Sequence, residues 1–367
     1  MGAGSMIATS GAEHFAASSP IRVMIVDDSL TVRSVLSKII APEPGMIVVG
    51  KTGSAENALL DLAKSPADVV LLDLEMPGMG GLDALPRILS ENPATQVLVV
   101  SSLTVAGAEH TLAALSMGAA DTMLKPRSGE FDEGYRTALL QRIRALGRRS
   151  RMDAGDGYPE APPPLLARNN PHLPLEIVGI GASTGGIHAL CVLLRHLPRQ
   201  VAAPILITQH LPASFMPVFA RQLELASGRA AVVVEERTPI ESGRIHVASG
   251  HGHMILRRQG DRLAATTAAF KVASGCMPSV DPMFESMGDV AGGGALGVVL
   301  SGMGRDGATG AERLVRAGGN VIAQDEASCS VWGMPRAIAE AHLASAILPP
   351  EKIALRIATH AGEAAWK

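Results

Sequence analysis

Cysteine is scarce in this chain. Its 367 residues hold three, Cys191, Cys276 and Cys329, far apart and with no CxxC pair. An odd, scattered set excludes a disulfide framework and a zinc knuckle, and fits a reducing cytoplasm. Basic charge is not in excess either: 32 Lys and Arg stand against 35 Asp and Glu, giving a net charge of −3. Nucleic-acid binding needs clustered cations to replace counterions, so a polyanion-binding surface is not expected. Long apolar runs are missing. The longest, such as 67–72 and 295–300, are strand-sized, whereas a bilayer span needs about 20 residues, so no membrane insertion is expected. The first twenty residues have neither a basic start nor a clear apolar stretch, which predicts a loose leader and no signal peptide. No repeat unit is found.

What is there is nearly half apolar, enough for two cores, and the length suits two domains. The periodic pattern stops between Gly147 and Pro174, where a basic stretch gives way to Pro162-Pro163-Pro164. That composition predicts a linker over 147–174, between a domain at 21–146 and a second at 175–367. On both sides short apolar runs alternate with helical stripes, the mark of βαβ units and parallel sheets. The expected fold class is therefore α/β, with two doubly wound parallel sheets. The first is expected to be flavodoxin-like, and the second to carry an added antiparallel hairpin over 244–265. Ser29 is placed to cap the first helix, with Val32, Val35, Leu36 and Ile39 on one face.

Reactive residues gather just past the ends of these apolar runs, where open α/β sheets bind ligands. In the first half these are Asp27, Asp28, Asp73, Ser101 and Lys125. Three carboxylates converging at a sheet edge suit a hard cation such as Mg²⁺, with Asp73 as a nucleophile toward phosphorus. Lys125 can pair with the charged product, and Ser101 can donate to a phosphoryl oxygen. Any one of these Asp residues alone reads more simply as a cap or strand end.

The second half offers GASTGG around Ser183, ITQHLP around His210 and LSGMGRDG around Asp306. Gly179, Gly181 and Gly185 are spaced GxGxxxG, a poor dinucleotide fingerprint. GxSxG also fits a nucleophile elbow, and equally a glycine-rich helix start capped by Ser183 or Thr184. His210 could take the Ser183 proton, and Asp306 could orient the imidazole. The chain order Ser…His…Asp departs from that of α/β-hydrolases, Ser…Asp/Glu…His, so the elbow likeness is local.

Two resemblances complete this reading. DD, DxxMPGMxG, a strand-ending Ser and KP, in that order, resemble the receiver domain of two-component response regulators. The resemblance implies phosphorylation of Asp73 by a chemotaxis-type histidine kinase, with Mg²⁺ on Asp27, Asp28 and Asp73. Ser101 is preferred to Ser102 for the hydroxyl. Thr122 departs from the aromatic switch residue that many receivers carry there. The second half resembles the chemotaxis protein-glutamate methylesterases, through GIGASTGG, ITQHLP, PSVDPMF, LSGMGRDG and QDEASCSVWGMP.

That second resemblance implies Ser183 as nucleophile, His210 as general base and then acid, and Asp306 as its orienter. The Met303 N–H and the helix start after Ser183 become oxyanion donors, with Thr184 assisting. The implied substrates are glutamate γ-methyl esters on chemoreceptors, with deamidation of certain receptor glutamines. No esterase cofactor is implied, and the implied location is the cytoplasm, at receptor arrays. A phosphoryl group on Asp73 is expected to lift a restraint that the receiver imposes by covering the Ser183 cleft. The competing reading is a silent receiver-bearing phosphate sink or scaffold. Residues 270–277 lack the NxHRPSVD lead-in common among relatives. His246, His251 and His253 read as a polar hairpin tip rather than a metal site, and Gln324, Asp325 and Glu326 as pocket or loop residues of unassigned role.

Overall fold

The computed structural model describes residues 19–101, 105–125, 131–152, 174–260 and 262–362. The leader, the Pro-rich stretch, Ser102, Pro126 and the turn residue Asp261 lie outside the described residues. Five strands open the chain: β1 (Ile21–Val26), β2 (Met46–Thr52), β3 (Val69–Leu72), β4 (Gln96–Ser101) and β5 (Asp121–Leu124). They form one parallel sheet in the order β2-β1-β3-β4-β5. The central strands are buried on both faces, so they read as unbroken apolar runs. Between them run α1 (Leu30–Ile40), α2 (Ala55–Lys64), α3 (Gly81–Glu91) and α4 (Val105–Met117), and α5 (Glu133–Met152) follows β5. Ser29 caps α1, its hydroxyl accepting from Val32 N–H.

The α5 helix continues to Met152, past the residue where the periodic pattern stops. Gly147 does not break it. A Cβ at Gly147 would come within 2.5 Å of Ile21, so this glycine serves a close approach of α5 to β1.

The second sheet has seven parallel strands in the order β15-β14-β13-β6-β7-β10-β8. In chain order these are β6 (Ile177–Ala182), β7 (Ile205–Gln209), β8 (Ala231–Val233), β10 (Ile245–Val247), β13 (Ala295–Val299), β14 (Asn320–Gln324) and β15 (Ala346–Leu348). A small antiparallel sheet joins β9 (Thr238–Pro239), β11 (His253–Gln259) and β12 (Arg262–Ala268). The hairpin is thus shorter than expected and starts later. Residues 245–247 instead lie in the main sheet between β7 and β8, where Ile245 and Val247 are fully buried.

Helices α6 (Gly186–His196), α7 (Met216–Ser227), α8 (Val280–Ala291), α9 (Ala308–Arg316), α10 (Met334–Glu340) and α11 (Pro350–His360) cover the second sheet. Gly179 and Gly181 now have a packing role. A Cβ at either would strike Met287 or Val280 of α8 at 2.3 and 2.5 Å, so the missing side chains let α8 lie directly on β6. Leu112 and Leu115 of α4 belong to the same apolar cluster as Ile187 and Leu190 of α6, so one core crosses between the domains.

Candidate functional site

Both sheets reverse their winding direction at one point, and the reactive residues stand there. In the first, β1 lies between β2 and β3; Asp27 follows β1 and Asp73 follows β3. Oxygens of Asp27, Asp28 and Asp73 lie within 4.8 Å of one another. Lys125 Nζ stands 2.9 Å from Asp27 and 2.6 Å from Asp73. Burial pushes the Asp73 carboxyl up, the Lys125 ammonium pulls it down, and the Asp27 charge adds to the rise. The net direction is upward, because burial outweighs the Lys125 ammonium. Three carboxylates around one ammonium and the all-oxygen donor set fit a small divalent cation. Ser101 at the end of β4 is buried, and its hydroxyl has no partner among the described residues.

In the second sheet β6 lies between β7 and β13. Ser183 follows β6, His210 follows β7 and Asp306 lies in the loop after β13. The Ser183 N–H donates to Ser301 C=O at 3.0 Å, and the His210 N–H to Ala182 C=O at 3.1 Å, so both residues are pinned to neighbouring strand ends. His210 Nε2 bonds Asp306 Oδ2 at 2.8 Å. Ser279 Oγ donates to Asp306 Oδ1 at 2.6 Å, and the Val280 N–H to Oδ2 at 2.7 Å. Burial opposes the ionised form of Asp306, but His210 and these two donors win and hold its carboxyl down to about 2. Burial also opposes the charged form of His210; the bond and charge of Asp306, with the Cys276 thiol alongside, hold the imidazole up to about 9. At neutral pH the ring is therefore charged. Among the described residues no hydrogen bond joins Ser183 Oγ to His210, although both line one cavity of about 320 Å³.

The other wall of that cavity belongs to the first domain, with Asp121, Thr122, Tyr135 and Arg142 on it. Thr184 Oγ1 donates to Asp121 Oδ2 at 2.7 Å, and the Gly185 N–H to Ala120 C=O at 2.5 Å. Both acceptors sit where the chain enters β5, an edge strand of the first sheet. The first domain does cover the Ser183 cleft, but not with its acidic edge. It docks through α4, α5 and the beginning of β5, and Lys125 lies a further four residues along, roughly 13 Å for extended chain. Thr122 faces the same cavity, with its hydroxyl unpartnered among the described residues. Met303, expected as an oxyanion donor, lies on a second cavity of about 410 Å³ shared with Arg144 of α5.

Comparisons with known proteins agree with this two-part layout. A family model described as CheB methylesterase matches residues 178–357, and one described as response regulator receiver domain matches 23–131. A protein-glutamate methylesterase/protein-glutamine glutaminase of Caulobacter vibrioides is 42% identical over 93% of this chain and 99% of its own length. One from Paramagnetospirillum magneticum is 39% identical over 92% of this chain and 95% of its own. The chain belongs to the CheB methylesterase family. A solved CheB methylesterase catalytic domain from Thermotoga maritima is 31% identical over 50% of this chain and 98% of its own, with a TM-score of 0.49.

Several residues that hold this CheB-type site together carry no sequence signal of their own. His253 is no hairpin-tip residue: it is fully buried, its Nδ1 accepting from the Ser279 N–H at 3.0 Å and its Nε2 bonding Phe270 C=O at 2.8 Å. It thereby fixes the turn that presents Ser279 to Asp306. His246 is buried too, within β10. Gln324 acquires a role, since its Oε1 accepts from the Ser301 N–H at 2.7 Å and so braces the strand end beside Ser183. Gln209 Nε2 donates to Ser183 C=O at 3.0 Å. His253 and Gln324 lie 26 and 23 residues along the chain from Ser279 and Ser301, which they brace, so only the fold reveals those contacts, whereas Gln209 directly precedes His210. Among the described residues no helix is long and apolar enough to cross a membrane.

Proposed function

We propose that this chain hydrolyses glutamate γ-methyl esters, and deamidates selected glutamines, on the cytoplasmic helices of chemoreceptors, under control of phosphorylation at Asp73. One observation carries the reading: Asp306, fixed by three donors, holds His210 beside the Ser183 cleft at the winding reversal of the second sheet. Ser183 Oγ attacks the ester carbonyl while His210 takes its proton, and His210 returns that proton to the departing methoxide, which leaves as methanol. Water then attacks the acyl-enzyme, His210 takes the water's proton, and Ser183 is released with it, leaving a glutamate carboxylate. A glutamine substrate follows the same route and releases ammonia. The Met303 N–H, which has no acceptor among the described residues, is the oxyanion donor, and the Thr184 hydroxyl assists once it is released from Asp121.

In the docked form the Thr184 hydroxyl and the Gly185 N–H are both engaged by the receiver. This is a resting state. Asp27, Asp28 and Asp73 would hold Mg²⁺, which screens the charge of an incoming phosphoryl group. A phosphoryl group on Asp73 adds about −1.5 to −2 charges, to which Lys125 and Ser101 respond. Lys125 continues β5, and the Asp121 contact begins it, so a shift of this one strand links the two sites. A differential stability of ~1.4 kcal/mol changes the docked population tenfold. The chain works in the cytoplasm at receptor arrays, with a chemotaxis-type histidine kinase as phosphodonor.

The test is methanol release from methyl-labelled receptor, with and without a small-molecule phosphodonor. Phosphodonor should accelerate release by the full chain, Asp73→Asn should not respond, and Ser183→Ala should lose nearly all release. Turnover by Ser183→Ala near the wild-type rate would sink the assignment.

A further inference from the structure

Beside the His210–Asp306 pair stands a group that the ester chemistry does not use. Cys276 lies in the segment before Pro278 that departs from the family's lead-in pattern, and it is half-buried. Its Sγ, a ring nitrogen of His210 and a carboxylate oxygen of Asp306 all lie within 4.8 Å of one another. Sulfur, imidazole nitrogen and carboxylate oxygen are the three donor types that zinc accepts, at about 2.0–2.3 Å each, and three protein donors leave a fourth position for water. We propose that this cluster is an inhibitory site for Zn²⁺ or a similarly soft divalent ion, separate from the hard-cation site at Asp73.

Selectivity follows from the donors. Thiolate and imidazole favour Zn²⁺ and disfavour Mg²⁺, whereas the all-carboxylate cluster of the receiver has the opposite preference. Two of the three ligands are already fixed. Asp306 is held by Ser279 and Val280, and His210 is anchored by its N–H to Ala182. Only Cys276 has to close on the ion, and it sits between Gly275, at φ +70°, and exposed Met277 in a loop with room to move. The other two cysteines are buried at 0% and 1% exposure and cannot offer a competing thiolate. Binding releases the thiol proton and the imidazole proton to solvent. An ion so held takes His210 out of service as a base, so hydrolysis stops while the receiver still accepts phosphate. The inhibitory effect rests on the esterase reading above; the binding itself does not.

The experiment uses the full chain with Mg²⁺ in excess to fill the receiver site. Co²⁺ is titrated in while the thiolate-to-cobalt charge-transfer band is followed, and Zn²⁺ is then added to displace it. We expect a band that saturates at one ion per chain, disappears on Zn²⁺ addition, and is absent from Cys276→Ser and Cys276→Ala. In parallel, Zn²⁺ should slow methanol release by the wild type at least tenfold. Both variants should keep at least the rate that the wild type shows with a zinc-selective chelator. A wild-type chain without a thiolate band, or variants inhibited as strongly as the wild type, would overturn the proposal. The band does not depend on turnover, so an inactive chain that still gives it would count against the esterase reading and not against the metal site.

Discussion

The two active edges of this molecule are built on the same plan and balanced in opposite ways. Each stands where a parallel sheet reverses its winding, with side chains delivered from the ends of neighbouring strands. At the receiver edge three carboxylates face one ammonium, and burial holds Asp73 above its ordinary range. At the esterase edge Asp306, with the Asp281 carboxyl close by, accepts three hydrogen bonds and is driven down to about 2. The first is a site short of positive charge, which a cation or a new covalent group can tip. The second is satisfied internally, which suits a nucleophile system that must hold its geometry through turnover. A switch needs an unresolved charge balance, and a catalyst needs a resolved one.

The strongest way to break this contrast is Ser183→Ala. It should lower methanol release by roughly 10⁴- to 10⁶-fold while phosphorylation of Asp73, followed with labelled phosphodonor, proceeds as before. Asp306→Asn comes next, with a loss of roughly 10³- to 10⁴-fold, because nucleophile and base survive but the imidazole loses its orienting charge. Steady-state kinetics with methylated receptor measure both.

The pH dependence sharpens the comparison further. With His210 held up to about 9, its neutral form grows as pH rises. Metal-free hydrolysis by the unphosphorylated chain should therefore rise roughly 50-fold between about pH 7 and 9. A flat profile over that range would contradict the charged resting imidazole. The same raised value stabilises the fold fully below the ordinary value of 6.5, and that contribution is lost as pH climbs through about 9. For Asp306 the sign reverses: its contribution is present above the ordinary 3.8 and is lost as pH falls through about 2.

Breaking the contact between the domains should have a smaller effect. Asp121→Ala removes the acceptor of the Thr184 hydroxyl, and should raise unphosphorylated turnover by up to about tenfold, a shift of ~1.4 kcal/mol in docking. If turnover instead stays unchanged, the Asp121 bond is not part of the restraint. The smallest effect concerns stability. Burial raises the Asp73 carboxyl, and a cation on the three carboxylates would offset that cost, so Mg²⁺ should raise the melting temperature of the wild type by a few degrees, roughly 2–4 °C per kcal/mol of binding linkage. Asp73→Asn should gain less from Mg²⁺ in the same calorimetric scan.

Sequence pattern was enough to identify the strands around both sites, because strands buried on two faces must be apolar throughout and reactive residues cluster past their ends. The residues it singled out are also brought together by the fold, Asp27, Asp28, Asp73 and Lys125 at one sheet edge and His210 with Asp306 at the other, and their neighbours form dense local motifs. The short edge strands at 231–233 and 346–348 escaped, being only three residues each and half-buried, with little periodicity to read. His253 was misread because a polar residue among glycines resembles a loop tip; its burial depends on Phe270 and Ser279, each more than a dozen residues away. Which receiver face docks could not be read at all. The contact falls on α4 and the residues just before and at the start of β5, where Ala120 C=O accepts from the Gly185 N–H and Asp121 accepts from the Thr184 hydroxyl. Local sequence determines which residues can react, because their chemistry and immediate backbone lie within a few positions. Tertiary structure alone decides what braces them and what covers them, because those partners are brought together by packing over tens of residues.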